Sequence, residues 1–432
     1  MPFLPEISLM SSFVYGALCL ALGLTDPIWA VYGLFVTVTN YGFMSISEEA
    51  TAVRIIAPVA LISLVLYLVR HARPVRVQRS TPPLVFFIAY SVAITAIYGR
   101  LTNQLLGVAA LALLLNIFVG ESEINRERTI KAFILAVLVS ALAGLIKGGF
   151  INAGNIERFI GGYTDPNEFA KYMLLGIVFT TSVNWHSRLV KHIITLSLWG
   201  ALLLTYSRMG LVIGIAVLLI QVVSGGTQKS KSSLLVFGGA TVIIFILVIV
   251  SVTSLGQALQ IFASSWSQRF QTQERPAEFA IGSPHLYRLN DLTANRLDLY
   301  LASVQEWSRE SIEVQLAGGG YNYSRIVLAR RAGQLISTHS TFLQVLLDFG
   351  VFGLLLFVIL CVSKLDTTSW RLPRFLHYNL AWLVYIASFL ALAWVFSWSN
   401  LMFFAVVGAR SRTRRKTDDS QYGSIREPER KS

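Results

Sequence analysis

Long apolar runs set the first limit on what this chain can fold into. They lie at residues 8–24, 27–44, 53–69, 83–98, 101–119, 130–147, 169–184, 189–205, 209–223, 234–253, 341–362 and 375–396, with a shorter piece at 399–408. A helix needs about 20 apolar residues to cross a bilayer, with a range of about 17–25. Most of these runs reach or approach that length. Only 14% of the 432 residues are charged and 54% are hydrophobic, whereas ordinary soluble domains are roughly 25% charged. The expected fold is all-α, a polytopic membrane protein with about 12–13 transmembrane helices over residues 1–409. The piece 399–408 is either the thirteenth span or a re-entrant segment. Residues 410–432 form a polar, basic tail that is expected to be disordered.

Charge then orients the runs. The net charge is +13, and the segment 70–80 and the tail 410–432 each contribute a net +4 of it. Both segments flank apolar helices, which is the positive-inside pattern rather than a nucleic-acid footprint. No nucleic-acid partner is expected. The other basic connections are 120–131, 185–192, 224–233 and 363–374. Alternation lets all six basic segments be cytoplasmic at once, the tail included. The segment 148–168, the tight turn at 206–208 and the long loop 254–338 then share the opposite face, with the N-terminus on that face too if there are thirteen spans. The start "MPFLPEISLM" has no basic n-region, so the first run is expected to be a retained helix rather than a signal peptide. Cys19 and Cys361 lie inside apolar runs and read as packing residues. No His or acidic cluster has metal-ligand spacing, so no metal or other cofactor is expected.

The loop 254–338 carries Arg269, Arg275, Arg288, Arg296, Arg309, Arg325, Arg330 and Arg331 and no lysine. Arginine's planar fork binds phosphate oxygens bidentately, although the loop's acidic residues are equally able to pair with most of these side chains. Within the loop, Leu297, Tyr300, Leu301, Val304 and Trp307 or Ser308 fall on one face of a predicted amphipathic helix, with Asn290 or Asp291 as its cap. Gly318, Gly319 and Gly320 follow in "LAGGGYNYS" and suit a tight turn or a close approach to a ligand. In "ERFIGGYTDPNEFAKY" (157–172), Asp165-Pro166-Asn167 reads as a turn entering a helix near Phe169. Arg158 lies just upstream. Arg208 sits in the short link between two apolar helices, where it either snorkels to lipid phosphate or binds an anion. His339 precedes Thr341-x-x-Gln344, a capping-box pattern. It is either structural or a neutral imidazole placed to take a proton from a hydroxyl.

Four blocks recur together: "RFIGGYTDPNEFA" (158–170), "YSRMGLVIG" (206–214), "NRLDLYLASVQEW" with "LAGGGYNY" (295–323), and "HSTFLQVLLDFGVFGLLLF" (339–357). In these the sequence resembles the bacterial O-antigen ligase and polymerase superfamily. The resemblance implies a GT-C-like glycosyltransferase of the inner membrane, with its active site on the periplasmic face. It implies an undecaprenyl-diphosphate-linked oligosaccharide donor and a glycan or lipid A–core acceptor, no nucleotide sugar, and polysaccharide export proteins as further partners. By motif, Arg158, Arg208 and Arg296 would hold the diphosphate. His339 would activate or position the acceptor hydroxyl. Asp165 and Asn167 would shape the site, with Gly318, Gly320 and Tyr321 beside the substrate. His339-Ser340 stands where many relatives have His-Asn. The resemblance leaves polymerase and ligase open, with a slight lean to polymerase. A transporter of lipid-linked sugars would show internal repeats and mid-membrane ionisable residues. No repeat is visible, and Asp348 is the main such residue. A binding or sensor protein would leave the convergence of the four blocks unexplained.

Overall fold

The computed structural model describes residues 9–43, 52–71, 78–153, 156–224, 296–332, 338–365, 372–391, 397 and 400–405. The chain is the expected all-α polytopic membrane protein. Helices occupy each expected run that falls among these residues: α1 Leu9–Thr25, α2 Pro27–Thr39, α3 Val53–Arg70, α4 Thr81–Ile97, α5 Asn103–Glu121, α6 Glu123–Lys147, α7 Pro166–Ser182, α8 Arg188–Leu204 and α9 Arg208–Ser224. The loop supplies α10 Arg296–Arg309, α11 Ile312–Ala317 and α12 Tyr323–Ala332. Then follow α13 Thr341–Ser363, α14 Leu372–Ala391 and the short α15 Leu401–Ala405. The run 234–253, the expected caps Asn290 and Asp291, and the tail 410–432 lie outside the described residues. Among the described helices α3, α5, α6 and α13 are long and apolar enough to cross a bilayer unaided.

Local chemistry sets the helix ends. The Asp26 carboxylate accepts from Ile28 N (3.2 Å), Thr102 Oγ1 from Leu105 N (3.2 Å) and Ser122 Oγ from Asn125 N (3.0 Å), so each satisfies an orphan amide of its helix. Pro27 and Pro166 sit in first turns, where a missing N–H costs nothing. The run 27–44 stops being helical at Thr39 for a tertiary reason. Asn40 Nδ2 turns back to Val36 O (2.8 Å), and Gly42 N donates to Gly162 O (2.9 Å). At about 1.5 Å per residue, the thirteen residues of α2 cover roughly 20 Å.

One element is not helical. Strands β1 Phe150–Ala153 and β2 Ile156–Phe159 form an antiparallel hairpin with Ile151 opposite Arg158. The chain after it crosses α6 at backbone contact: a Cβ on Gly144 would lie 2.4 Å from Gly161 Cα. Ser140 Oγ donates to Thr39 O (2.6 Å) and accepts from Gly162 N (3.1 Å). This small-residue, hydrogen-bonded contact is how helices associate where lipid removes the hydrophobic drive. It fixes where the chain re-enters the bundle as α7, which is buried on all sides from Glu168 to Thr180.

The face of α10 turned to the bundle is Ala302 and Ser303, while Val304 is exposed. Tyr300 and Trp307 spend their polar tips on carbonyls, Tyr300 on His339 O and Trp307 on Gln315 O (each 3.3 Å). The piece 399–408 is no full span among the described residues. Its α15 has five residues, all buried, with Phe404 O accepting from Asn116 Nδ2 (2.9 Å) and Lys364 Nζ (3.0 Å). Both cysteines are buried and free.

Candidate functional site

Four chain segments make up two polar clusters. They are the start of α7, the α8–α9 turn, the start of α13 and the end of α14. The first two form an arginine node. Asp165 caps α7, its Oδ1 accepting from Asn167 N (2.7 Å) and Glu168 N (3.0 Å). That fixes Asn167, whose Oδ1 accepts from Arg158 Nη2 (3.2 Å) and from Ser207 Oγ (2.9 Å). Arg158 Nε also donates to Thr205 O (3.0 Å). The turn itself is held by Ser207 N on Thr205 Oγ1 (3.2 Å) and Gly210 N on Ser207 Oγ (3.1 Å). Tyr206 is forced to φ +46°, a region that a bulky residue occupies only under constraint.

The node thus brings together Arg158, Asp165 and Asn167 and ties them to the turn that launches α9 at Arg208. Arg158 is only 5% exposed, and two of its donors are committed to the loop. The geometry gives it the work of holding the Arg208 turn. Ser207 was not anticipated as a member, although "YSR" had marked its neighbour.

Asp165→Ala should remove the cap at a cost of about 1 kcal/mol and release Asn167. The expected result is a lower melting temperature with reduced activity. Asp165→Asn, which keeps a capping oxygen, should recover most of the stability.

The second half is built around His339. Its φ is +50°, again left-handed. Thr338 clamps the turn, its Oγ1 donating to Ser340 O (2.8 Å) and accepting from Ser340 N (3.3 Å). The cap of α13 is Ser340, whose Oγ accepts from Leu343 N (3.5 Å). The expected Thr341–Gln344 capping box does not form. Gln344 Nε2 donates to Asp348 Oδ2 (3.2 Å). His339 still lies just outside the helix, with its side chain exposed. The Tyr300 hydroxyl reaches both His339 O and Leu390 O near the end of α14. Arg296 opens α10 four residues before Tyr300.

The glycine loop is docked on α13. Gly319 N donates to Leu347 O (3.3 Å), Gly320 N to Asp348 O (2.8 Å) and Tyr321 N to Thr95 Oγ1 (3.1 Å). Arg100 Nη1 holds Gly319 O (2.7 Å). Asp348, fully buried, accepts Asn322 N (3.2 Å) and Ser324 N (2.7 Å). Helix α13 breaks at Gly350 (φ +66°, ψ −169°) to receive α11, and Tyr90 Oη lies 3.0 Å from Ala317 O and 3.2 Å from Phe349 O. Burial and the Asp348 carboxylate push the Tyr321 hydroxyl above its usual range, so it is a neutral hydroxyl. The backbone amides of Gly318, Gly320 and Tyr321 are engaged with protein groups here. Asp348, flagged in the sequence as a stray charge, is the latch.

Helix α14 joins the halves. Its Leu390 meets Tyr300 beside His339, and its Tyr385 lies in the field of Glu168 on α7.

Residues 193–358 match a family model described as O-antigen ligase. The matched segment contains Arg208, Arg296, Gly318, Gly320, Tyr321 and His339, whereas Arg158, Asp165 and Asn167 lie before it. Searches of curated proteins and of solved structures each found no match.

Proposed function

We propose that this chain, whose residues 193–358 match an O-antigen ligase family model, is an integral-membrane glycosyltransferase acting on the periplasmic face of a bacterial inner membrane. It moves a glycan from undecaprenyl diphosphate to a hydroxyl of an acceptor in surface polysaccharide assembly. What supports this reading is that the motif residues Arg158 and Asn167 meet the turn before Arg208, while His339 stands exposed just outside α13 beside Tyr300.

In the proposed step, His339 takes the proton of the acceptor hydroxyl. The hydroxyl oxygen attacks the anomeric carbon and the bond to phosphate breaks. Its electron pair leaves on the diphosphate, which Arg208 and Arg296 neutralise. Direct displacement inverts the anomeric configuration. Arg158 acts through Thr205 by keeping Arg208 in place. The resemblance favours a repeat-unit polymerase slightly. Ligation of glycan to lipid A–core or to a protein uses the same step with another acceptor.

Deletion of the gene followed by complementation tests this reading, with lipopolysaccharide gels run beside analysis of carrier-linked glycan. A polymerase leaves single repeat units on carrier or core. A ligase leaves bare core and long carrier-linked chains. Unchanged glycans in both fractions would overturn the proposal.

A further inference from the structure

Between α11 and α12 a run of consecutive amides all donate within the protein. Gly318 N donates to Val314 O (2.8 Å), Gly319 N to Leu347 O (3.3 Å), Gly320 N to Asp348 O (2.8 Å), Tyr321 N to Thr95 Oγ1 (3.1 Å) and Asn322 N to Asp348 Oδ2 (3.2 Å). Two carbonyls of the stretch accept from side chains, Ala317 O from the Tyr90 hydroxyl (3.0 Å) and Gly319 O from Arg100 Nη1 (2.7 Å). These partners also report depth. At about 1.5 Å per residue, Tyr90 stands about 10 Å inward from Ile97, where α4 ends. A Cβ on Gly350 would lie 2.3 Å from Leu316 O and 2.6 Å from Gly318 N. On the same scale Gly350 is about 13 Å inward from Thr341, where α13 begins. Tyr321, by contrast, is bound to Thr95 in the last turn of α4. The chain therefore descends along α13 as α11 and rises again through the glycines.

A turn at a wet surface leaves its amides to solvent. Inside a bilayer, non-helical backbone is tolerated only where protein satisfies its polar groups, and this turn meets that demand. The side chains agree. Ile312 and Leu316, one turn apart on α11, are 61% and 40% exposed. Leu316 lies against Gly350, and the residues that follow on α13, Val351, Phe352 and Leu355, are exposed apolar side chains too. Helix α13 is long and apolar enough to cross a bilayer, so its exposed apolar face is a lipid face, and the α11 face continues it. The polar residues of α11 mark its upper end. Ser311 and Glu313 are exposed there, and Gln315 Nε2 reaches back to Ser308 O (3.2 Å) and Glu310 O (2.9 Å) around the end of α10.

We infer that α11 and the glycine run form a re-entrant hairpin that dips into the bilayer leaflet on the side where α4 ends and α13 begins, with the Ile312–Leu316 face against lipid acyl chains. The inference goes beyond the glycan-transfer reading and does not depend on it. The hairpin ties the loop segment that opens at Arg296 to the membrane, since α10 runs directly into it and α12 leaves it. It also gives Asp348 its place. A carboxylate in a membrane helix is costly without partners, and this one closes the rising arm through the amides of Asn322 and Ser324.

The test places a nitroxide on the full-length protein in phospholipid vesicles, through Ile312→Cys, Leu316→Cys, Phe352→Cys or Arg309→Cys, one at a time. The native Cys19 and Cys361 are buried, and protein without an added cysteine gives the background. Collisions of the nitroxide with molecular oxygen, which concentrates among acyl chains, are compared with collisions with a water-soluble nickel chelate. The expected result is oxygen above nickel at Ile312 and Leu316, as at Phe352 on the lipid face of α13, with the larger ratio at the deeper Leu316. Arg309, whose side chain is 70% exposed at the end of α10, gives nickel above oxygen. Nickel above oxygen at Ile312 and Leu316 would place α11 in water and overturn the inference. Low collision rates with both reagents would show that protein covers this face and would overturn it equally. Ile312→Cys, at the more exposed position, carries the test alone if Leu316→Cys yields no folded protein.

Discussion

His339→Ala is expected to abolish glycan transfer and to leave the protein in the membrane at its normal level. The expected loss is about 10²–10⁴-fold, the usual contribution of a positioned general base. The structure separates this effect from folding. His339 is not the cap of α13, because Ser340 is, and Thr338 clamps the turn. The His339 contact with Tyr300 uses its carbonyl, which alanine keeps. Histidine at φ +50° and alanine there bear similar strain, so little stability changes. The check is polymer or ligated glycan in the complemented deletion strain, beside an immunoblot of the membrane fraction. Full complementation would make the histidine structural.

The second large effect is on stability. A Cβ at Gly318 would lie 2.3 Å from Asp348 O and 2.3 Å from Phe349 Cα. Gly318 also has φ +88° and ψ 173°, a conformation essentially reserved for glycine and costing other residues about 1–3 kcal/mol. Overpacking adds about 1–3 kcal/mol. A total of roughly 2–6 kcal/mol is a large share of the about 5–15 kcal/mol that holds a typical domain. Gly318→Ala should therefore give little folded protein, seen as aggregation on size-exclusion chromatography and a sharply lower melting temperature. Gly350→Ala should behave alike, since its Cβ would meet Leu316 O at 2.3 Å. A folded, wild-type-stable Gly318→Ala protein would show that the loop is not seated on α13.

These two sites also show what the sequence makes legible. The helices are readable because a bilayer leaves a helix no alternative over a long apolar run. The motif residues are readable too: Arg158, Asn167 and the "YSR" turn do meet, although 40 residues separate Asn167 from Ser207. What is hidden depends on distant partners. "DFGVFG" reads as continuous helix, since glycine is tolerated in membrane helices. The break at Gly350 follows from α11 pressing on it. Glu168 and Lys171, in the first turns of α7, are buried, and a partner of Lys171, Asn400, lies far along the chain. Thr341 reads as the cap of α13, whereas the helix is capped one residue earlier, by Ser340. The four-residue strands 150–153 and 156–159 are too short for an alternating pattern to show.

The most direct measurement is release of undecaprenyl diphosphate by the purified protein, given lipid-linked glycan and no nucleotide sugar. The account predicts one undecaprenyl diphosphate released for each glycosidic bond formed, with inversion at the anomeric carbon and no release by His339→Ala. Folded wild-type protein that binds the lipid-linked glycan but releases none, or forms the bond with retention, would contradict it.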